Sequence, residues 1–120
     1  MPYHKYHAKR TIVDGIKFDS KAEAQRYIFL KALEQKGTIT DLKRQVPFLL
    51  IPALNLKKPH RKNGRLVYQE RKVTYVADFV YQKDGETIVE DVKGVKTPEY
   101  IIKRKLMLQK YGIEIQEVRA

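Results

Sequence analysis

The chain divides into stretches with two hydrophobic periods. Lys72-Val-Thr-Tyr-Val-Ala-Asp-Phe-Val-Tyr is β-branched and aromatic, Asp84-Gly85 interrupts it, and Thr87-Ile-Val-Glu-Asp-Val resumes it. Such residues suit strands, and Asp-Gly between two such runs is a two-residue hairpin signal. With Asp84 and Gly85 as the loop, Lys83 faces Glu86 and, counting outward, Asp78 falls opposite Asp91. Lys93 follows two residues on, on the same face, because strand side chains alternate. Thr11-Ile-Val, Asp14-Gly15 and Ile16-Lys-Phe repeat the signal in a shorter hairpin.

The 3.6-residue period takes over at Ser20-Lys-Ala-Glu23, with Ala22, Tyr27, Leu30 and Leu33 or their neighbours as the apolar stripe and Gly37 as the stop. Residues 38–51 read as a strand, and Pro47 places it at a sheet edge or a bulge. Gln45 is its unusual polar member, facing either a site or water. Thr97-Pro98-Glu99 starts a second helix that closes at Tyr111-Gly112, with Ile101, Ile102, Leu106 and Leu108 as apolar cover. Ile113 to Val118 alternates as a last strand. The core order is therefore helix, three strands, helix, strand, an α/β chain with a central sheet flanked by helices.

Composition adds a partner. The chain has 120 residues, 42% of them hydrophobic, which suits one compact domain, and its net charge is +11. That imbalance favours salt-dependent binding to a polyanion. The charge is densest in a basic loop at 52–71, where Lys57, Lys58, Arg61, Lys62 and Arg65 surround Pro59 and Asn63-Gly64. Such a loop follows a phosphate backbone or serves as a long solvated hairpin connection; nucleic-acid contact is the expectation, with Lys96 and Lys103 extending it. Met1 to Arg10, with Tyr3, His4, Tyr6 and His7, is expected to be a basic flexible arm ahead of a single domain at 11–120. Cysteine is absent, which removes disulfides, thiolate zinc sites and cysteine nucleophiles and fits a reducing cytoplasm. The longest apolar run, Val46 to Leu54, contains two prolines and is too short to span a bilayer. No membrane partner is expected, and the N-terminus does not resemble a secretion signal.

Asp78, Asp91 and Lys93 carry the candidate chemistry. Facing carboxylates repel unless a cation or proton sits between them. An all-oxygen pair suits Mg²⁺ or Mn²⁺, and a nearby ammonium can orient water or offset charge on a phosphate. Glu23 has two readings, since Ser20 with Glu23 is also a capping box in which the glutamate reaches back to the Ser20 amide. Alternation turns Glu90 to the other face, away from Asp91 and Lys93. Gly94 allows close approach of a phosphate backbone or simply serves the turn.

Asp78 followed by Asp91-Val92-Lys93 on the next strand, within this element order, resembles the PD-(D/E)XK nuclease superfamily. The string Asp14-Gly-Ile-Lys-Phe-Asp-Ser-Lys-Ala-Glu23 is similar to the opening of a small phage-encoded endonuclease branch of it, and Ala77 stands where the proline of the motif would be. The resemblance implies a mixed central β-sheet in an αβββαβ restriction-endonuclease-like core. It also implies Mg²⁺-dependent DNA hydrolysis, with Asp78 and Asp91 as metal ligands, Glu23 as a third, and Lys93 assisting the nucleophile. Structure-selective cutting of branched DNA or a Holliday junction is expected, by a homodimer acting in the host cytoplasm with phage replication or recombination proteins. A non-catalytic nucleic-acid-binding module is the competing expectation, and an RNA substrate ranks last.

Overall fold

The computed structural model describes residues 11–120; the arm expected at Met1 to Arg10 lies outside the described residues. The chain opens with the short hairpin β1 (Thr11–Val13) and β2 (Ile16–Phe18), turned at Asp14-Gly15. Helix α1 (Lys21–Gln35) follows, then β3 (Thr40–Ile51), β4 (Leu54–Lys62), β5 (Arg65–Glu70), β6 (Val73–Lys83), β7 (Glu86–Lys93), α2 (Pro98–Tyr111) and β8 (Gln116–Arg119). The central sheet runs β3-β6-β7-β8, antiparallel except for the parallel β7–β8 pair, so it is mixed. Without the two small hairpins, the order is the αβββαβ of the expected α/β core.

Local chemistry explains the boundaries. Ser20 Oγ accepts from the Glu23 amide to start α1, and Thr97 Oγ1 accepts from Tyr100 with Pro98 in the first turn of α2. Gly112 ends α2 at φ +67°, the left-handed conformation that glycine adopts without a Cβ clash. Asp84 and Gly85 both have positive φ, the geometry of a type I′ hairpin turn, and the ladder runs from Lys83↔Glu86 to Phe79↔Glu90. Pro47, which has no amide to donate, lies on β3, which among the described residues pairs only with β6.

The helices cover opposite faces of the sheet. Ala24, Tyr27 and Leu30 of α1 pack with Phe18, Ile39, Phe79 and Tyr81, while Tyr100 and Met107 of α2 pack with Leu50, Tyr75, Ala77, Val80 and Val89. Ala24 rather than Ala22 is the buried alanine of α1, and Ile102 and Leu108 of α2 face solvent, where Tyr100 and Met107 provide the cover. The stripe on α2 is thus rotated from the one that hydropathy suggests, because aromatic and sulfur-containing side chains fill the sheet-facing positions. The last strand begins at Gln116, after Ile113 and Ile115 have packed as a lead-in.

Residues 52–71, expected as a loop, form the β4–β5 hairpin around Asn63-Gly64, again with positive φ at both turn residues. Among its strand residues only Leu56 and Val67 are even half-buried, so it stands away from the core. Among the described residues, no helix is long and apolar enough to cross a membrane.

Candidate active site

The site forms where two strands part. β6 and β7 pair up to Phe79↔Glu90 and then separate, so among the described residues the earlier part of β6 pairs with β3 alone while Asp91 to Lys93 pair with β8 alone. Asp78 and Asp91 stand at the mouth of this fork. Freed from a ladder bond, the Val92 amide donates to Asp78 Oδ2 at 2.8 Å. A backbone donor on a carboxylate favours its ionised form and fixes its direction.

A second irregularity points Asp78 into the fork. Tyr75 and Ala77 pack on the α2 side, whereas Phe79 and Tyr81 pack on the α1 side, so the alternation of β6 reverses across Asp78. Between Arg44↔Phe79 and Val46↔Ala77, the partner strand places Gln45 opposite, at φ +51°. Left-handed backbone at a residue other than glycine costs about 1 kcal/mol or more and persists where surrounding structure imposes it. Gln45 Nε2 uses that position to bridge Asp78 Oδ1 at 3.3 Å and Glu23 Oε2 at 3.4 Å.

Glu23 accordingly does not close a capping box. Its amide donates to Ser20, but its carboxylate turns toward Arg44 and Gln45, each at 3.4 Å. Burial, and next the charge of Asp78, raises its pKa from the usual carboxylate value. Arg44 lies over the Phe18 ring, 4.4 Å from its centroid, and its buried Nε has no hydrogen-bond partner among the described residues.

Asp91 is 4% exposed and sits on the α2 side, where the Tyr75 hydroxyl donates to Oδ2 at 2.6 Å. Lys93 Nζ is 3.4 Å from Oδ1 and 4.2 Å from the centre of the Tyr100 ring. Burial, aided by the neighbouring Asp78 charge, pushes Asp91 up to about 6, against the opposing pull of Tyr75 and Lys93. Beyond Lys93, Glu117 accepts from Tyr100 at 2.7 Å, Arg104 at 3.0 Å and Lys96 at 3.0 Å; the Tyr100 bond first and the cations next bring it down to about 2. A Cβ on Gly94 would meet nothing nearer than Ala120 at 3.8 Å, so packing within the chain does not require glycine there.

The fork thus gathers Asp78, Asp91 and Lys93, and Gln45 ties Glu23 to them. Among the described residues no three His, Cys, Asp or Glu side chains converge into an ion-enclosing group. The donors at the fork mouth are two carboxylates, one of them disfavoured as an anion, and this suits a hard cation that keeps several waters and takes substrate phosphate as a further ligand. Glu90 lies elsewhere: 1% exposed on the α1 side, it receives a two-pronged contact from Arg26 at 2.7 Å and a hydroxyl bond from Tyr81. Lys57, Lys58, Arg61, Lys62 and Arg65 cluster on the β4–β5 hairpin. Lys96 pairs with Glu117, and Lys103 with Glu99 at 3.8 Å, near α2 and away from that cluster. Tyr75, Tyr100 and Arg44 are each joined to the site by a long-range contact that has no local sequence signal.

A family model described as "Protein of unknown function (DUF1064)" matches residues 3–119. The curated proteins contain no significant match.

Proposed function

We propose that this chain, which belongs to the DUF1064 family, is a Mg²⁺- or Mn²⁺-dependent DNA endonuclease of the PD-(D/E)XK type that prefers branched DNA. The observation that carries this reading is the strand fork, where a buried Asp91 with a raised pKa stands beside Asp78 and holds Lys93 at 3.4 Å. A carboxylate pair in that setting stores repulsion that a divalent cation relieves. The net charge of +11 and the exposed basic hairpin supply the attraction for a polyanion.

Held by Asp78 and Asp91, the metal would supply Lewis-acid stabilisation of phosphate charge and a more acidic water. The remaining work belongs to the side chains. Tyr75 and the Val92 amide each fix one carboxylate, so neither must reorganise on loading. Lys93, steadied by Asp91 and the Tyr100 face, offsets the negative charge that grows on the phosphate oxygens as water attacks phosphorus and the P–O ester bond breaks. Glu23 serves as the third carboxylate, linked to Asp78 through Gln45.

The raised pKa of Asp91 has a thermodynamic consequence. Protonated Asp91 is favoured by the fold, so its contribution is full below the ordinary carboxylate value and is lost as pH rises through about 6. Metal binding should restore it where Asp91 is ionised. In thermal melts, Mg²⁺ is expected to raise the transition at pH 7.5 and leave it unchanged at pH 4.5, and Asp91→Asn should abolish the difference; an equal metal effect at both pH values contradicts it.

A homodimer fits cutting of two strands. The α1 surface offers Gln25, Ile28, Phe29 and Ala32 as exposed uncharged residues, with the Arg26 guanidinium 4.8 Å from the centre of the Phe29 ring, and the proposed dimer contact uses this surface. Phe29→Glu should sediment as a monomer where the parent sediments as a dimer; a parent that is monomeric at all concentrations removes this element.

The second reading, a binding module without chemistry, is favoured by the lack of a three-carboxylate cage among the described residues. A labelled four-way junction and a matched linear duplex, incubated with Mg²⁺, Mn²⁺ or EDTA, separate the two readings. Cutting that requires metal and favours the junction supports the nuclease, whereas binding without cutting under any metal supports the module.

A further inference from the structure

The β4–β5 hairpin has two unlike faces. Its register pairs Lys62↔Arg65, Arg61↔Leu66 and His60↔Val67 near the tip, and Asn55↔Gln69 and Leu54↔Glu70 near the base. Strand alternation then places Leu66, Tyr68 and Leu54 on one face, with Arg61 and Glu70, and turns Lys62, Arg65, His60 and Gln69 to the other. Leu54 is 50% exposed, Leu66 46% and Tyr68 60%. Between the two registers, Leu56-Lys57-Lys58-Pro59 on β4 stands opposite Tyr68 alone, an irregularity that sets Lys57 and Lys58 across the ribbon from Tyr68.

An isolated two-stranded ribbon is marginally stable in water, and this one leaves its largest apolar side chains uncovered. Charge decides what covers them. Six lysines and arginines lie between Pro52 and Lys72 against one glutamate, and none of the six forms an ion pair with the other described residues. A second copy of the ribbon would meet the same cations and be repelled. A nucleic acid supplies both complements, because its phosphates pair with the cations and its bases offer apolar faces. The ribbon also grows from β3 and β6, the strands that carry Gln45 and Asp78, so DNA held by it leads to the fork.

We infer that the β4–β5 hairpin is a wedge for unstacked DNA, in which Tyr68, with Leu66 and Leu54, packs against bases exposed at a branch point while the lysines and arginines hold the flanking phosphates. A two-stranded ribbon fits a DNA groove, and apolar side chains presented by a basic element unstack base steps. The inference rests on the nucleic-acid part of the proposed function and not on hydrolysis. It names the feature by which branched DNA would be told from an uninterrupted duplex.

The test is binding in EDTA, where metal-dependent cutting cannot contribute. A four-way junction carrying 2-aminopurine at its centre and a linear duplex carrying it at the same sequence position are titrated with the full chain, with Leu66→Ala/Tyr68→Ala, and with Lys57→Ala/Lys58→Ala. The parent is expected to raise the fluorescence of the junction probe only. The apolar variant should lose that rise and about tenfold in junction affinity, with duplex affinity nearly unchanged and its circular dichroism like the parent's. The lysine variant should weaken both DNAs alike. Equal loss on both DNAs in the apolar variant, or no loss on either, overturns the wedge, as does tighter Tyr68-dependent binding to anionic phospholipid vesicles than to the junction. A chain that unstacks the junction here yet never cuts it with Mg²⁺ refutes the nuclease reading and leaves the wedge standing.

Discussion

Asp78→Asn and Lys93→Ala should each reduce DNA cleavage by about a thousandfold or more while leaving affinity for the same DNA within about threefold. The separation follows from where the charges lie. In the proposed nuclease, cutting would depend on three side chains at the strand fork, while binding would rest on dispersed cations, most densely those of the β4–β5 hairpin. Tyr75→Phe keeps the ring in the core and removes only the hydroxyl that donates to Asp91. Its expected loss is smaller, about 10- to 100-fold, as for other groups that orient a metal ligand. Single-turnover cleavage and fluorescence anisotropy on one labelled junction supply both numbers. Parallel loss of binding and cutting in a folded variant would mean that the fork holds DNA and does no chemistry.

The second large effect concerns stability. Glu90 is almost fully enclosed on the α1 side of the sheet, where Arg26 engages both of its oxygens and the Tyr81 hydroxyl adds a third bond. Removing one member of a buried ion pair strands the other, at a cost of about 3–5 kcal/mol. Arg26→Ala should therefore lower the urea unfolding free energy by about 3 kcal/mol, a substantial part of the stability of a domain this size. Replacing both members by apolar residues of similar volume, Arg26→Met with Glu90→Leu, should recover most of the loss, because no charge is then left without a partner. If Arg26→Ala costs less than about 1 kcal/mol, solvent is reaching Glu90 and the pair is not the clamp between α1 and β7 that its burial indicates.

Both effects arise from one strand pair, and their legibility in the sequence differs. The β6–β7 hairpin was readable because Asp84-Gly85 fixes the turn and a fixed turn fixes the register, which sent Asp91 and Glu90 to opposite faces. Helix ends were readable because Ser20, Thr97-Pro98 and Gly112 act through local hydrogen bonds and backbone conformation. The parting of the strands beyond Phe79↔Glu90 was not, since it depends on β7 finding β8 across the length of α2. The face reversal at Gln45 and Asp78 also escaped, because strand alternation assumes an unbroken pleat. Glu23 could be assigned to cap or site only once Arg44 and Gln45 had been brought to it by the β3–β6 pairing. At 52–71 the Asn63-Gly64 signal was visible, but four of the nine residues of β4 are lysine or arginine, and they hide the alternation of that strand.

The central claim is that the fork is a hydrolytic metal site, and the most direct test is single-turnover cleavage of a labelled four-way junction by the parent chain and by Asp91→Asn, each in Mg²⁺ and in EDTA. The account predicts cutting by the parent in Mg²⁺ alone, with both proteins still binding the junction. Equal cutting by both proteins, or tight binding by the parent with no cutting in Mg²⁺, would contradict it.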